Sequence, residues 1–179
     1  ISIDQKSTSH NPRSTVGTVT EIYDYVRLLF ARIGKPVCPT HHVDIQAQTI
    51  QEMTNKILEN QNAKLIILAP IVRAKKGTHK DVIEHLRQEG YTRLRINSED
   101  FELDQDIQLN KNNRYDIDVV IDRVIVKDSA TSRLYDSLET AARLGEGNVK
   151  VIKDGEELLF SENFSCPICG FTIPDLEPR

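Results

Sequence analysis

Cys38-Pro39-Thr40-His41 and Cys166-Pro167-Ile168-Cys169 contain all three cysteines of this 179-residue chain. Together the two knuckles supply four ligands of the kind a tetrahedral structural zinc takes. If they share one ion, the long segment between them leaves the metal and returns to it, as an inserted domain stapled at its base would. Proline directly after the first cysteine of each knuckle favours a tight turn on which both ligands converge. Spacing alone leaves a second arrangement open, in which Cys166 and Cys169 pair with cysteines beyond Arg179. A redox pair also has C-x-x-C spacing, but it needs a βαβ context, and here Cys169 runs into Gly170 and Phe171. His42 competes with His41 as the histidine ligand, although C-x-x-H is the commoner reach.

The composition bounds what surrounds this site. With 39% hydrophobic residues the chain can bury a core of one or two modest domains. A net charge of −4 does not describe a chain that is basic overall and wraps nucleic acid. No apolar run approaches a membrane span and no secretory signal pattern is present. Cysteines confined to knuckles fit a reducing cytosol, so a cytoplasmic location is expected. The chain begins at Ile1 without methionine and stops just after a knuckle, which is what an excised piece of a larger protein would do.

Ile1 to Gln5 reads as the end of a strand, followed by a polar loop through Gly17. Val19, Ile22, Val26, Leu29, Phe30 and Ile33 then recur at helical spacing, with Thr18 as N-cap, Glu21 at the capping-box position and Gly34 as the stop. This helix has one apolar face and is expected to pack outside the core of the inserted domain, against the rest of a longer protein. Thr49 to Leu58 predicts a short helix. Leu65 to Ala69 is a continuous apolar run that Pro70 should end, as a strand buried on both faces. Thr78 should cap a helix carrying Val82, Ile83 and Leu86, stopped by Gly90. Tyr91 to Ile96 alternates as a strand, with Phe101 to Leu103 its hairpin partner. Ile117 to Val126 is the longest β-rich segment, and Thr131 to Leu144 is a helix closed by Gly145. Val149 to Lys153 and Glu157 to Phe160 flank Asp154-Gly155, a hairpin turn. The fold class is therefore α/β or mixed α+β.

Positive charge is concentrated in one stretch. Residues 73 to 95 carry seven Lys and Arg against three Asp and Glu, a local balance of +4. The bland reading is a solvated face; the functional one is a patch for an acidic partner or for phosphates. Lys75-Lys76-Gly77 lacks the glycine and lysine spacing of a phosphate-binding loop. Arg93 and Arg95 share one strand face, with Leu94 and Ile96 on the other, and present forks suited to carboxylates. Arg123 interrupts an apolar strand, either as an ion pair with Asp122 or as an interface arginine. Serines and histidines form no nucleophile elbow or acid–base set. His79 and His85 fall on one helix at non-facing spacing, and His10 is a loop residue. The chain by itself reads as non-catalytic.

Five stretches carry a specific resemblance: ISIDQKSTSHNPRSTVGTVTEIYDYVRLLFAR at 1–32, LAPIVRAKKGTHKDVIEHLRQEGYTRLRI at 68–96, VVIDRVIV at 119–126, SLETAARLGEG at 137–147 and FSCPICGFTIPDLEPR at 164–179. They cover most of the chain and resemble the UvrA family, the ABC-type ATPases that survey DNA for lesions in bacterial nucleotide excision repair. The resemblance implies that residues 1–47 belong to the first ATP-binding domain, with Gln5 as the Q-loop glutamine near the nucleotide's metal. It implies that 48–157 is the inserted domain that recruits UvrB, and that 158–179 is a return strand and second knuckle. Arg93 and Arg123 fall where partner-contacting arginines are expected. The implied metal ligands are Cys38, His41, Cys166 and Cys169, holding zinc. ATP, damaged DNA and a second UvrA subunit are implied as partners of the intact protein only, and no membrane is. In the family the Cys166/Cys169 knuckle is often half of a four-cysteine finger completed downstream. The second half is missing here, which favours the internal set. A DNA-contacting zinc module using the basic loop at Arg73 to Lys80 is the alternative function.

Overall fold

The apolar run at Leu65 to Ala69 lies near the centre of a six-stranded sheet in the computed structural model, which describes residues 22–166 and 168–171. In chain order the elements are α1 (Ile22–Ile33), α2 (Ile50–Leu58), β1 (Lys64–Lys76), α3 (Lys80–Gln88), β2 (Arg93–Ile96), β3 (Glu99–Glu102), β4 (Arg114–Ile125), α4 (Thr131–Leu144), β5 (Asn148–Lys153) and β6 (Glu156–Ser161). The sheet order is β3-β2-β4-β1-β5-β6, and every pairing is antiparallel. The mixed α/β class is thus realised as helices packed on a wholly antiparallel sheet. Among the described residues, those from Val37 onward form one compact unit, and α1 belongs to another.

Strand periodicity decides what lies against the helices. Leu65, Ile67 and Ala69 of β1, Leu94 and Ile96 of β2, Ile117 and Val119 of β4 and Val149 and Val151 of β5 are buried in one cluster. Leu134, Leu138 and Ala141 of α4, Ile83 and Leu86 of α3, Met53 and Ile57 of α2 and Phe160 of β6 join it. Leu68 points the other way. It is fully buried outside this cluster, as are Ile45, Cys38 and Cys166. Gln48 N–H donates to the Ser161 carbonyl at 2.8 Å, so the chain enters the sheet domain and leaves it at one place.

Two local expectations are corrected. Pro70 does not end β1, which continues to Lys76. Strand β5 pairs with β1 only over Leu65–Leu68, and the register against β4 breaks between Pro70 and Val72. The missing proline N–H therefore falls where the ladder on one side has already finished. Thr78 does not cap α3; His79 holds the N-cap position in left-handed conformation (φ 47°), with no side-chain cap bond. Its ring is used elsewhere, edge-on to Tyr115, with Nε2 3.1 Å from the Lys75 carbonyl. His79 therefore lies just outside α3, while His85, inside it, pairs with Glu89 at 3.3 Å.

The turns follow their chemistry. Asn97 and Ser98 both have positive φ (48° and 72°) and join β2 to β3, and Asp154-Gly155 (48° and 93°) joins β5 to β6. A capping box between Thr49 and Glu52 starts α2. In the other unit, α1 ends where Gly34 N–H donates to the Phe30 carbonyl at 2.9 Å. Its Tyr25, Leu29, Phe30 and Ile33 are each more than half exposed. Thr18 and Glu21, expected to cap that helix, and Gln5 and His10 lie outside the described residues.

Candidate metal centre and arginine face

The two knuckles fold alike. In the first, Cys38 N–H donates to the Val43 carbonyl and His42 N–H to the Cys38 carbonyl; in the second, Cys166 N–H donates to Phe171 and Gly170 N–H to Cys166. The fifth residue of each is left-handed, His42 at φ 54° and Gly170 at φ 73°. This turn points both side chains of a knuckle inward, and the knuckles face one another although His41 and Cys166 are 125 positions apart in sequence. Cys38, His41, Cys166 and Cys169 bring their donor atoms within 4.8 Å of one another. It is His41, rather than His42, that turns its Nδ1 into this group.

The distances test what the group can hold. Cys38 Sγ lies 3.6 Å from His41 Nδ1 and 3.8 Å from Cys169 Sγ, and Cys166 Sγ lies 3.8 Å from His41 Nδ1. With metal bonds of about 2.3 Å to sulfur and about 2.0 Å to nitrogen, a regular tetrahedron puts sulfur pairs about 3.8 Å apart and sulfur–nitrogen pairs about 3.5 Å apart. These three edges are close to those values, and all six donor pairs lie within 4.8 Å. At 3.8 Å Cys38 and Cys169 are not disulfide-bonded, and all three cysteines are free.

Electrostatics points the same way. Burial pushes the Cys38 thiol up, but hydrogen bonds from the His41 backbone and ring, the Thr40 backbone and Cys166 outweigh it and bring it down to about 6. Burial pushes the Cys169 thiol up; the Phe171 backbone draws it down, but Cys166 and Cys38 raise it further. Three clustered sulfurs do not all ionise without a cation among them. Cys38 and Cys166 are fully buried, His41 is half-buried and Cys169 is exposed, so the group lies at the surface with two of its donors inside.

On the sheet face opposite the main cluster, the arginines singled out from sequence form ion pairs, two of them through one shared carboxylate. Arg95 Nε donates to Asp100 Oδ1 at 2.7 Å, and Arg123 Nη2 donates to Asp100 Oδ2 at 3.3 Å. Arg93 Nη2 lies 3.3 Å from Glu102. Arg93 and Arg123 are nearly half exposed, Arg95 much less so. Asp122 does not form the expected pair with the Arg123 guanidinium. Its carboxylate takes two bonds from Arg133 and one from Ser137, both on α4, and only the Arg123 backbone N–H reaches it. The sequence reading missed Asp100, because nothing local to Glu99-Asp100-Phe101 shows which strand it will face. Deeper on this side, Lys150 Nζ donates to buried Asp118 at 2.8 Å, at the wall of a cavity of about 150 Å³ lined also by Arg73, Glu157 and Ile168.

Fold and donor set together define a small α/β domain whose entry and exit segments meet, with a Cys/His group beside it that could hold a metal ion. Residues 48–155 match the family model described as the UvrA interaction domain, and the chain belongs to that family. Along its whole length the chain is 60% identical to UvrABC system protein A of Oceanobacillus iheyensis, 59% to that of Bacillus subtilis and 52% to that of Listeria monocytogenes. It spans 19% of the length of each of these relatives. Among the described residues no helix is long and apolar enough to cross a membrane.

Proposed function

We propose that this chain is the UvrB-recruiting module of a UvrA-type damage sensor in nucleotide excision repair, with one zinc held by Cys38, His41, Cys166 and Cys169. The observation that carries the reading is the cluster of Arg93, Arg95 and Arg123 on one exposed sheet face. All three sit on paired strands, so their heads are carried by a rigid scaffold, and guanidinium forks suit carboxylates better than lysine does. Exposed Ile125, two residues along the strand from Arg123, adds an apolar contact to that face. In this reading 1–47 belongs to the first ATP-binding domain, 48–157 is the inserted recruitment domain and 158–179 the return strand and second knuckle. Gln5 serves the nucleotide only in the intact protein, as do damaged DNA and a second UvrA subunit as partners. The zinc would supply structure, fixing the base of the insert where Gln48 and Ser161 meet.

Truncating an interface arginine that is desolvated on binding costs about 2–5 kcal/mol. Arg93→Ala and Arg123→Ala should therefore each weaken UvrB binding about thirty-fold or more, near 2 kcal/mol, with melting temperatures unchanged. Titration of each variant against UvrB beside a melting curve is the test. Wild-type affinity in both variants would remove the assignment.

A second reading has one specific observation behind it. The far ends of β1 and β4 set exposed Lys76 directly opposite exposed Arg114, with Lys75 and Lys111 nearby. Like charges across a strand pair are unfavourable, and a polyanion would relieve them. A duplex DNA contact through this arm should lose affinity steeply with salt and need no UvrB.

A further inference from the structure

We propose that Asp100 is a positioning residue for recruitment: it holds the guanidinium groups of Arg95 and Arg123 side by side, ready for the carboxylates of an acidic protein surface. The inference rests on the arginine-face reading above. Its basis is one carboxylate shared between two strands. Oδ1 accepts from Arg95 Nε at 2.7 Å and Oδ2 from Arg123 Nη2 at 3.3 Å. Arg95 lies on β2 and Arg123 on β4, so Asp100 on β3 spans two neighbouring strands from the sheet edge. The two hydrogen bonds use one nitrogen of each guanidinium. The other N–H donors of each fork stay available for a second carboxylate.

Three features keep Asp100 where it is. It stands directly across from Arg95 in the β2–β3 ladder. The turn before it is a two-residue left-handed pair, Asn97-Ser98, which sets the hairpin register. That turn is tied to the next strand, because the Asp116 N–H donates to Asn97 Oδ1 at 2.9 Å. The hydrogen bond from Arg95 holds the Asp100 carboxyl below its ordinary range, with further help from Arg123 and Arg93, so it is ionised at neutral pH. Without this charge two neighbouring cations would repel and spread over their rotamers. Binding would then have to order them again. Glu102 has no such double contact; its ion pair is with Arg93 alone.

The experiment is calorimetric titration of this chain with UvrB, for wild type, Asp100→Ala, Asp100→Asn, Arg123→Ala and the Asp100→Ala/Arg123→Ala double variant. Asp100→Ala should weaken binding about tenfold, with Asp100→Asn part of the way, since it keeps the shape and one acceptor. In the Arg123→Ala background the same change should cost much less, because an arginine through which it acts is gone. The Arg95 Nε–H resonance should shift in Asp100→Ala, which a general loss of stability would not produce selectively. Unchanged or tighter binding by Asp100→Ala, or fully additive losses in the double variant, would overturn the positioning role. Wild-type affinity in Arg123→Ala would instead show that the arginine-face reading itself is wrong.

Discussion

Gly170 and His42 occupy the same place in the two knuckles, and both have left-handed backbone. Nothing lies within 4 Å of where a Gly170 Cβ would stand, so steric room is not what selects glycine there. Backbone conformation is, and an L side chain in that region costs about 1–2 kcal/mol. Gly170→Ala should therefore lower stability by about 1 kcal/mol in zinc-containing buffer. His42→Gly should not, because the first knuckle already carries that cost; melting curves of the two variants measure the contrast. Asp118 makes a second residue-scale case. Burial pushes its carboxyl up, and the hydrogen bond and charge of Lys150 only partly reverse this. A raised carboxyl contributes stability that is fully present below its unfolded value, about 3.9, and lost as pH rises through the folded value. Lys150→Met removes the counter-charge and should destabilise by about 3 kcal/mol at neutral pH. The deficit should shrink on acidification, and Asp118→Asn in the same background should recover much of it. Denaturant titrations at two pH values decide this.

At the scale of elements, helix α4 is fixed to β4 by chemistry as well as by packing. Asp122 is pushed up by partial burial, but Arg133, Ser137 and the Arg123 backbone N–H together hold it below its usual range. Such a group stabilises the fold above about pH 3.9, and this contribution is lost as pH falls through its depressed value. Asp122→Asn should cost about 1–2 kcal/mol at neutral pH, with the difference from wild type closing in strong acid. The same scale shows what could be read from residues alone. Helix α4 (Thr131–Leu144) was legible because its apolar spacing and its stop are all local. So was the Asp154-Gly155 hairpin, because its turn residues require positive φ. Pro70 misled because whether a strand tolerates proline depends on how far the neighbouring strand extends, and that strand ends its pairing at Lys150, about eighty residues further along the chain. His79 displaced Thr78 because Tyr115, on another strand, gives its ring a place to pack. The arginines could be picked out singly, but their shared carboxylate could not, since it depends on the β2–β3 register.

For the whole molecule, the question is how far the sheet depends on the metal group. The main buried cluster joins α2, α3, α4 and five of the six strands without using Cys38 or Cys166, which are buried outside it. The knuckles therefore close the base of a domain that has its own core, unlike a small zinc finger in which the metal is the core. Their convergence was one of two arrangements that the ligand chemistry allowed, and only the folded chain brings the four donor atoms within 4.8 Å of one another. The shape of the closure was not legible, because it depends on strands whose pairing brings Gln48 beside Ser161. If zinc binds the folded donors and not the unfolded chain, stability should rise by about 1.4 kcal/mol for each tenfold increase in free zinc above the dissociation constant. Chelation should lower the melting temperature and free the three thiols to a thiol reagent, yet leave the far-ultraviolet signal of sheet and helices largely intact. Cys38→Ser should reproduce the chelated state and lose the zinc dependence. A melting temperature indifferent to zinc would remove the metal from this site, whereas complete unfolding on chelation would show that the knuckles, and not the sheet, carry the fold.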